Sequence, residues 1–216
     1  MKGALSTVAA AAAALVLGCG AINTVRTKAP DPAVNEGEWA ALRNLSTRRA
    51  VLYDEFQYRA TVTATYLSPQ LREARAQRLA KWLGLTDKEL ADRLAQEAAE
   101  AAKFEDFTVS LFTADRTAND LDAKKSVWRL ALCLEDGSEI VTHDAEVLEP
   151  DATVRNLYPY VGPFDVVYRV RFNRAPGASL GGRLFTFELA SALGKAELRY
   201  GNGAVGPDLP FGERLP

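Results

Sequence analysis

The chain has 216 residues, 48% apolar and 25% charged, with 10 prolines, 15 glycines, 2 cysteines and 1 histidine. That length suits one domain, or one domain with an insertion, and the composition excludes a disordered, collagen-like or disulfide-stapled chain. With 26 basic against 28 acidic side chains the net charge is −2, without the basic excess of a nucleic-acid binder, and one histidine excludes most histidine-rich metal sites.

Lys2 supplies a short positive stretch, and residues 4–17 are a 14-residue run of Ala, Leu, Val, Ser and Thr. A hydrocarbon core about 30 Å thick needs about 20 apolar residues to cross, so this run reads as the hydrophobic region of a secretory signal rather than a span. Val16-Leu17-Gly18-Cys19 follows: an aliphatic residue, a spacer, a small residue, then cysteine. These residues resemble the lipobox of bacterial lipoproteins. The resemblance covers about the first twenty residues; the alternative is an ordinary signal followed by a chance cysteine. It implies that residues 1–18 are a signal peptide, that Cys19 receives a diacylglyceryl group and begins the mature chain, and that the protein is held to a membrane by lipid without spanning it. Gly20 stands where an Asp, in enterobacterial lipoproteins, retains the protein in the inner membrane, so the resemblance points to the outer membrane. Two or three lipid chains, at about 0.8 kcal/mol per buried CH₂, give stable anchoring. With Cys19 acylated, Cys133 has no intrachain disulfide partner, so stability must come from a packed core.

Residues 19–35, with Pro30 and Pro32 and few large apolar groups, read as a flexible tether. Residues 36–45 read as a short helix carrying Trp39 and Leu42. Phe56, Tyr58, Ala60, Val62, Ala64 and Tyr66 then alternate with Gln57, Arg59 and three threonines, which predicts one long strand with a wet threonine face. Ser68 and Pro69 open a helix with an apolar face of Leu71, Leu79, Trp82 and Leu83, and Gly84 stops it. Thr86-Asp87-Lys88-Glu89 is a capping box that starts a second helix, with Leu90, Ala91, Leu94, Ala98, Ala101 and Ala102 on one face. Together they predict an αα-hairpin at about 68–103. Arg75 falls within the first helix's apolar face and reads as a buried, paired arginine, while Arg72, Arg78 and Lys81 read as solvated.

Further strands are predicted at Phe107–Leu111, Ser126–Glu135, Phe164–Asn173 (Phe164, Val166, Tyr168, Val170 and Phe172 inward), Phe185–Leu189 and Ala196–Tyr200. Asp136-Gly137 predicts a two-residue hairpin loop, which would set Leu132 opposite Val141, Leu130 opposite His143, Trp128 opposite Ala145 and Arg129 opposite Asp144. The fold class is therefore α+β, mainly β: an antiparallel β-sandwich of about seven or eight strands with an inserted αα-hairpin. One domain covers 36–200, and residues 201–216, rich in Gly and Pro, form an irregular tail.

Chemistry-bearing residues are sparse. His143 is the only histidine base, and the proposed register puts it on the opposite face from Cys133; a three-residue loop would bring the two to one face. Either way both read as structural. Asp115, Asn119, Asp120 and Asp122 cluster in one loop and could offer oxygens to calcium, although Lys124 and Lys125 oppose it and a solvated acidic loop is the simpler reading. Residues 105–151 carry 12 acidic and 4 basic side chains, and residues 164–200 carry 3 and 6, so the two blocks are expected to pair within the fold. Tyr158 and Tyr160, in Leu157-Tyr158-Pro159-Tyr160, either plug one end of the fold or present a partner-binding surface. No phosphate loop, CxxC or nucleophile elbow is present, and no cofactor is implied. The whole pattern, with Trp128-Arg129 and Tyr158-Pro159-Tyr160, resembles uncharacterised lipoproteins of proteobacteria, a resemblance that implies no activity. The function expected is non-enzymatic: a lipid-anchored protein of the cell envelope that binds a protein partner or serves envelope assembly. A periplasmic small-ligand or lipid carrier is the alternative, and an enzyme of unknown type the third.

Overall fold

Tyr66, Phe107, Phe172, Phe187 and Tyr200 gather their rings inside a single eight-stranded antiparallel sheet, in a computed structural model that describes residues 37–174 and 179–201. The predicted signal peptide, the tether and the tail beyond Gly201 lie outside the described residues. The strands are β1 (Thr47–Asp54), β2 (Gln57–Tyr66), β3 (Phe104–Thr113), β4 (Arg129–Leu134), β5 (Glu139–Leu148), β6 (Val166–Asn173), β7 (Phe185–Ser191) and β8 (Gly194–Tyr200), in the spatial order β1-β2-β3-β6-β5-β4-β7-β8. The sheet curls until β1 and β8 approach one another, so the architecture is α+β, mainly β, and barrel-like. No ladder joins that seam. Instead Arg48 Nε donates to Arg199 O at 2.7 Å, and its Nη1 donates to Leu45 O and Thr47 O.

Strand β5 makes the turn between the two halves of the sheet. Its first residues pair with β4 (Ala131 with Val141, Leu132 with Ile140) and its later ones with β6 (Ala145 with Val170). The register shifts between Thr142 and Asp144, which leaves His143 as the extra residue of a bulge, the usual device for bending a strand between sheets. The hairpin before it corrects the expected register by one residue. Leu134 N donates to Ser138 O, Gly137 takes φ +81°, and the loop holds three residues rather than two. Arg129 accordingly meets Glu139 and Glu188, while Asp144 goes to Arg171.

Four α-helices pack outside among the described residues. They are α1 (Gly37–Leu45), α2 (Pro69–Leu83), α3 (Asp87–Ala101) and α4 (Ala152–Leu157). Ser68 caps α2 and Pro69 occupies its first turn, Gly84 ends it at φ +63°, and Thr86 and Glu89 close the capping box of α3. Both predicted helices of the hairpin are thus present. A second apolar cluster of Trp39, Leu67, Leu71, Leu79, Leu157 and Tyr158 joins α1, α2 and α4 over the outer face of β2 and β3. This cover corrects the expectation of a wet threonine face, because Thr63 and Thr65 are buried beneath it. Among the described residues, no helix is long and apolar enough to cross a membrane.

Candidate functional site

The charged residues of α2, α3, β3 and β6 converge in one lattice. Asp106, fully buried, lies 2.6 Å from Arg72 Nη2 and 2.8 Å from Arg169 Nη2. Glu97 of α3 takes Arg72 at 3.1 Å, Arg75 at 2.8 Å and Arg93 at 3.5 Å, and Glu100 takes Arg169 at 3.4 Å. Arg171 pairs with Asp144 through Nε at 2.8 Å and carries its guanidinium over the Phe104 ring. Burial pushes the Glu97 carboxyl up, but Arg75 and Arg72 together hold it below its ordinary range. Burial alone would lower Arg75; Tyr158 and Glu97 keep it above its usual value. Arg75 is thus paired as expected. Arg72 is not solvated, at 2% exposed, because its Nε donates to Leu67 O while its Nη groups reach Glu97 and Asp106. The two charge blocks do meet across the fold, in Arg169 with Asp106 and Glu146 and in Arg171 with Asp144.

An open groove of about 340 Å³ lies between α2 and α3, lined by Pro69, Leu94, Ala98 and Ala101 beside Arg72 and Glu97. The predicted apolar face of α3 borders this groove, and only Ala101 of that face is buried; Glu97 is the helix's other buried residue.

Of the residues singled out in the sequence, Cys19 lies outside the described residues. Tyr158 is 2% exposed and stands edge-on to Trp39 at 6.0 Å. Tyr160 shares a 2.8 Å hydrogen bond with Thr65 Oγ1, and burial raises its phenol well above the usual value. Both tyrosines join the helix layer to the sheet, Tyr158 against Trp39 of α1 and Tyr160 against Thr65 of β2 and Thr108 O of β3. Asp115 caps the short turn at Thr117, Asn119 accepts from Thr113, and Asp120 accepts from Ser126 and Val127 N. Three of the four oxygen donors are thus spent inside the loop. No group of three or more His, Cys, Asp and Glu suited to a metal occurs among the described residues. His143 is exposed and lies 5.0 Å from the Phe104 ring, while Cys133 Sγ points at Glu139 and Glu188, which with burial raise its thiol pKa.

Sequence reasoning placed Phe56 and Phe164 on core faces, and both are corrected. Phe56 is 99% exposed and Phe164 62% exposed. The alternation runs on past the end of the sheet at the start of both β2 and β6, so its last apolar member has nothing to pack against. Beside them Tyr53, on a strand the sequence did not reveal, is 62% exposed, with Tyr58 at 6.0 Å and Phe112 5.8 Å beyond Tyr58. The sequence signal for that strand is the run Ala50-Val51-Leu52-Tyr53 just before Asp54-Glu55, the first arm of a hairpin.

No family model matches the chain, and no curated protein matches it. A crystal structure from Burkholderia pseudomallei, described as a novel protein of unknown function, is 11% identical, covering 74% of this chain and 80% of its own at a TM-score of 0.36. A likeness at that level carries no argument about this chain.

Proposed function

We propose that this chain is a lipid-anchored protein of the cell envelope, of the outer rather than the inner membrane, which works without catalysis, through protein binding or envelope assembly. The observation that supports this reading is how the side chains are allocated. The arginines and carboxylates behind the helical hairpin are committed to each other, whereas aromatic side chains stand in solvent at the opposite end. Acid–base chemistry needs an ionisable group left to meet a substrate rather than one held in an ion pair, and exposed aromatics serve recognition instead. A small-ligand or lipid carrier is the second reading, favoured by the groove between α2 and α3, whose size falls at the lower end of ligand sites.

Membrane fractionation tests the anchor. Cys19→Ala should move the protein from the membrane pellet to the soluble fraction and remove a diacylglyceryl mass from its N-terminus. A variant that stays in the pellet after alkaline washing defeats the lipid anchor. Crosslinking the acylated protein in membranes tests the binding role: a discrete protein adduct is expected. A small molecule retained in native mass spectrometry, with no protein adduct, would favour the carrier.

A further inference from the structure

The end of the sheet farthest from α2 ends in a projecting aromatic hairpin. The last paired residues of β2 and β3 are Ala60 and Thr113, and Ala114 N closes on Arg59 O. Residues 53–58 continue beyond that point, so the tip stands roughly 10 Å clear of β3 at about 3.3 Å per residue. Phe56 occupies the turn itself, next to Glu55 at φ +52°. Tyr53 and Tyr58 flank it on one face, and Tyr58 donates to Phe112 O at 3.2 Å. Leu111 pairs with Val166, so the register sets Asp165 beside Phe112 and brings the exposed Phe164 to this end.

We infer that this tip rests in the headgroup region of the bilayer that holds the lipid anchor, with Phe56 as its deepest side chain. The inference relies on the lipid-anchored reading for the tether, not for the chemistry of the tip. Three observations choose a bilayer over a protein as occupant. The surface projects, and a protein interface of useful size needs a broad complementary face. Asp54 and Gln57 pair at its end, so the two arms of the tip stay paired up to the turn, as an apolar layer demands. Its charges are few: Asp54 is tied to Arg59 at 2.5 Å, which leaves Glu55 as the one further charge at the turn. A tip of one net charge flanked by tyrosines suits the zwitterionic interface, where tyrosine belts sit, and the roughly 10 Å projection matches the 5–10 Å depth of interfacial burial. Glu55 keeps the insertion shallow. The 17 residues between Cys19 and Gly37 reach up to roughly 60 Å, so the contact is intramolecular on the membrane and need not be strong. With the tip down, α2, α3 and their groove face away from the bilayer, toward any partner.

The test uses the acylated full chain in phosphatidylcholine vesicles with Phe56→Trp as reporter, an exposed position where the larger ring meets no steric barrier. Its emission, taken as the difference from the parent protein with its own three tryptophans, should shift to shorter wavelength and be quenched by lipids brominated near the headgroup end of their chains. Raising the salt should leave both unchanged. Emission of the Trp at position 56 that is the same with and without bromine overturns the inference, as does quenching lost in high salt or self-association of the tip with no quenching by lipid. The unacylated Cys19→Ser chain separates the two claims: it should still float with vesicles weakly, and adding Phe56→Ser should cut that partitioning about tenfold or more, the worth of one buried phenylalanine. Equal flotation of the two unacylated chains overturns the tip assignment even where Cys19 is shown to be acylated, and absent acylation alone sinks only the anchor.

Discussion

Arg72 shows how a single side chain ties the helices to the sheet. It is one of the largest fully buried side chains, and its guanidinium reaches Glu97, Asp106 and Leu67 O together. Removing it would leave two carboxylates short of a cation where water cannot replace it. Arg72→Leu should therefore destabilise the protein by about 3–5 kcal/mol, measured as the loss in urea unfolding free energy. A loss below about 1 kcal/mol would mean that Arg169, Arg75 and Arg93 suffice. Helical spacing alone does not reveal this role. It places Arg72 between Leu79 and Leu83, yet Leu83 is exposed, so that side of the face becomes an interior only where the strand carrying Asp106, far along the chain, covers it. Arg75 was legible because its angle falls nearer the middle of the face. Phe56 was misread for the converse reason: periodicity gives the face a residue points to but not whether a neighbouring strand reaches that far.

Among the elements, the helical hairpin was the most legible, since Ser68-Pro69, Gly84 and Thr86-x-x-Glu89 each satisfy exposed backbone groups locally, with no long-range contact required. Strand β1 was hidden because its apolar residues, Ala50, Val51, Leu52 and Tyr53, run together without alternation behind Arg48 and Arg49. The β4–β5 register slipped by one because Asp-Gly serves both two-residue and three-residue loops, and the choice depends on β7 and on the bulge at His143. The closure of the sheet was equally illegible, resting on one arginine of β1 bonded to a carbonyl of β8. That arginine predicts its own test. Arg48→Met keeps the stem but orphans Leu45, Thr47 and Arg199 carbonyls, each worth about 1–3 kcal/mol if left dry. Amide exchange in β8 should quicken more than exchange in β3, which lies between two strands. Uniform acceleration through the sheet would mean that the seam is held by its side-chain packing instead.

At the scale of the whole molecule, two layers are held by different forces. The sheet encloses rings and aliphatic chains, and its stability should change little with pH. Helix α3 buries only Glu97 and Ala101 and is attached mostly by ion pairs. The mainly-β class with its hairpin was readable from alternation and capping, but this division of labour was not, because it depends on which charges become buried together. It has a pH signature. Glu97 lies below its ordinary value of 4.5 in the folded protein, its pull from Arg75 and Arg72 outweighing burial. The folded state therefore binds that proton less readily than the unfolded chain. The stabilisation is complete above the unfolded value and drains away as pH falls through the folded one. The urea midpoint should hold level from pH 8 to about 5.5 and fall below about 4.5. Glu97→Gln, which cannot ionise, should be less stable than the parent at neutral pH, and the gap should close as the parent's carboxylate is protonated. A gap that stays constant down to pH 3 would show that Glu97 acts through shape and hydrogen bonding, and that the helix layer does not depend on its charge.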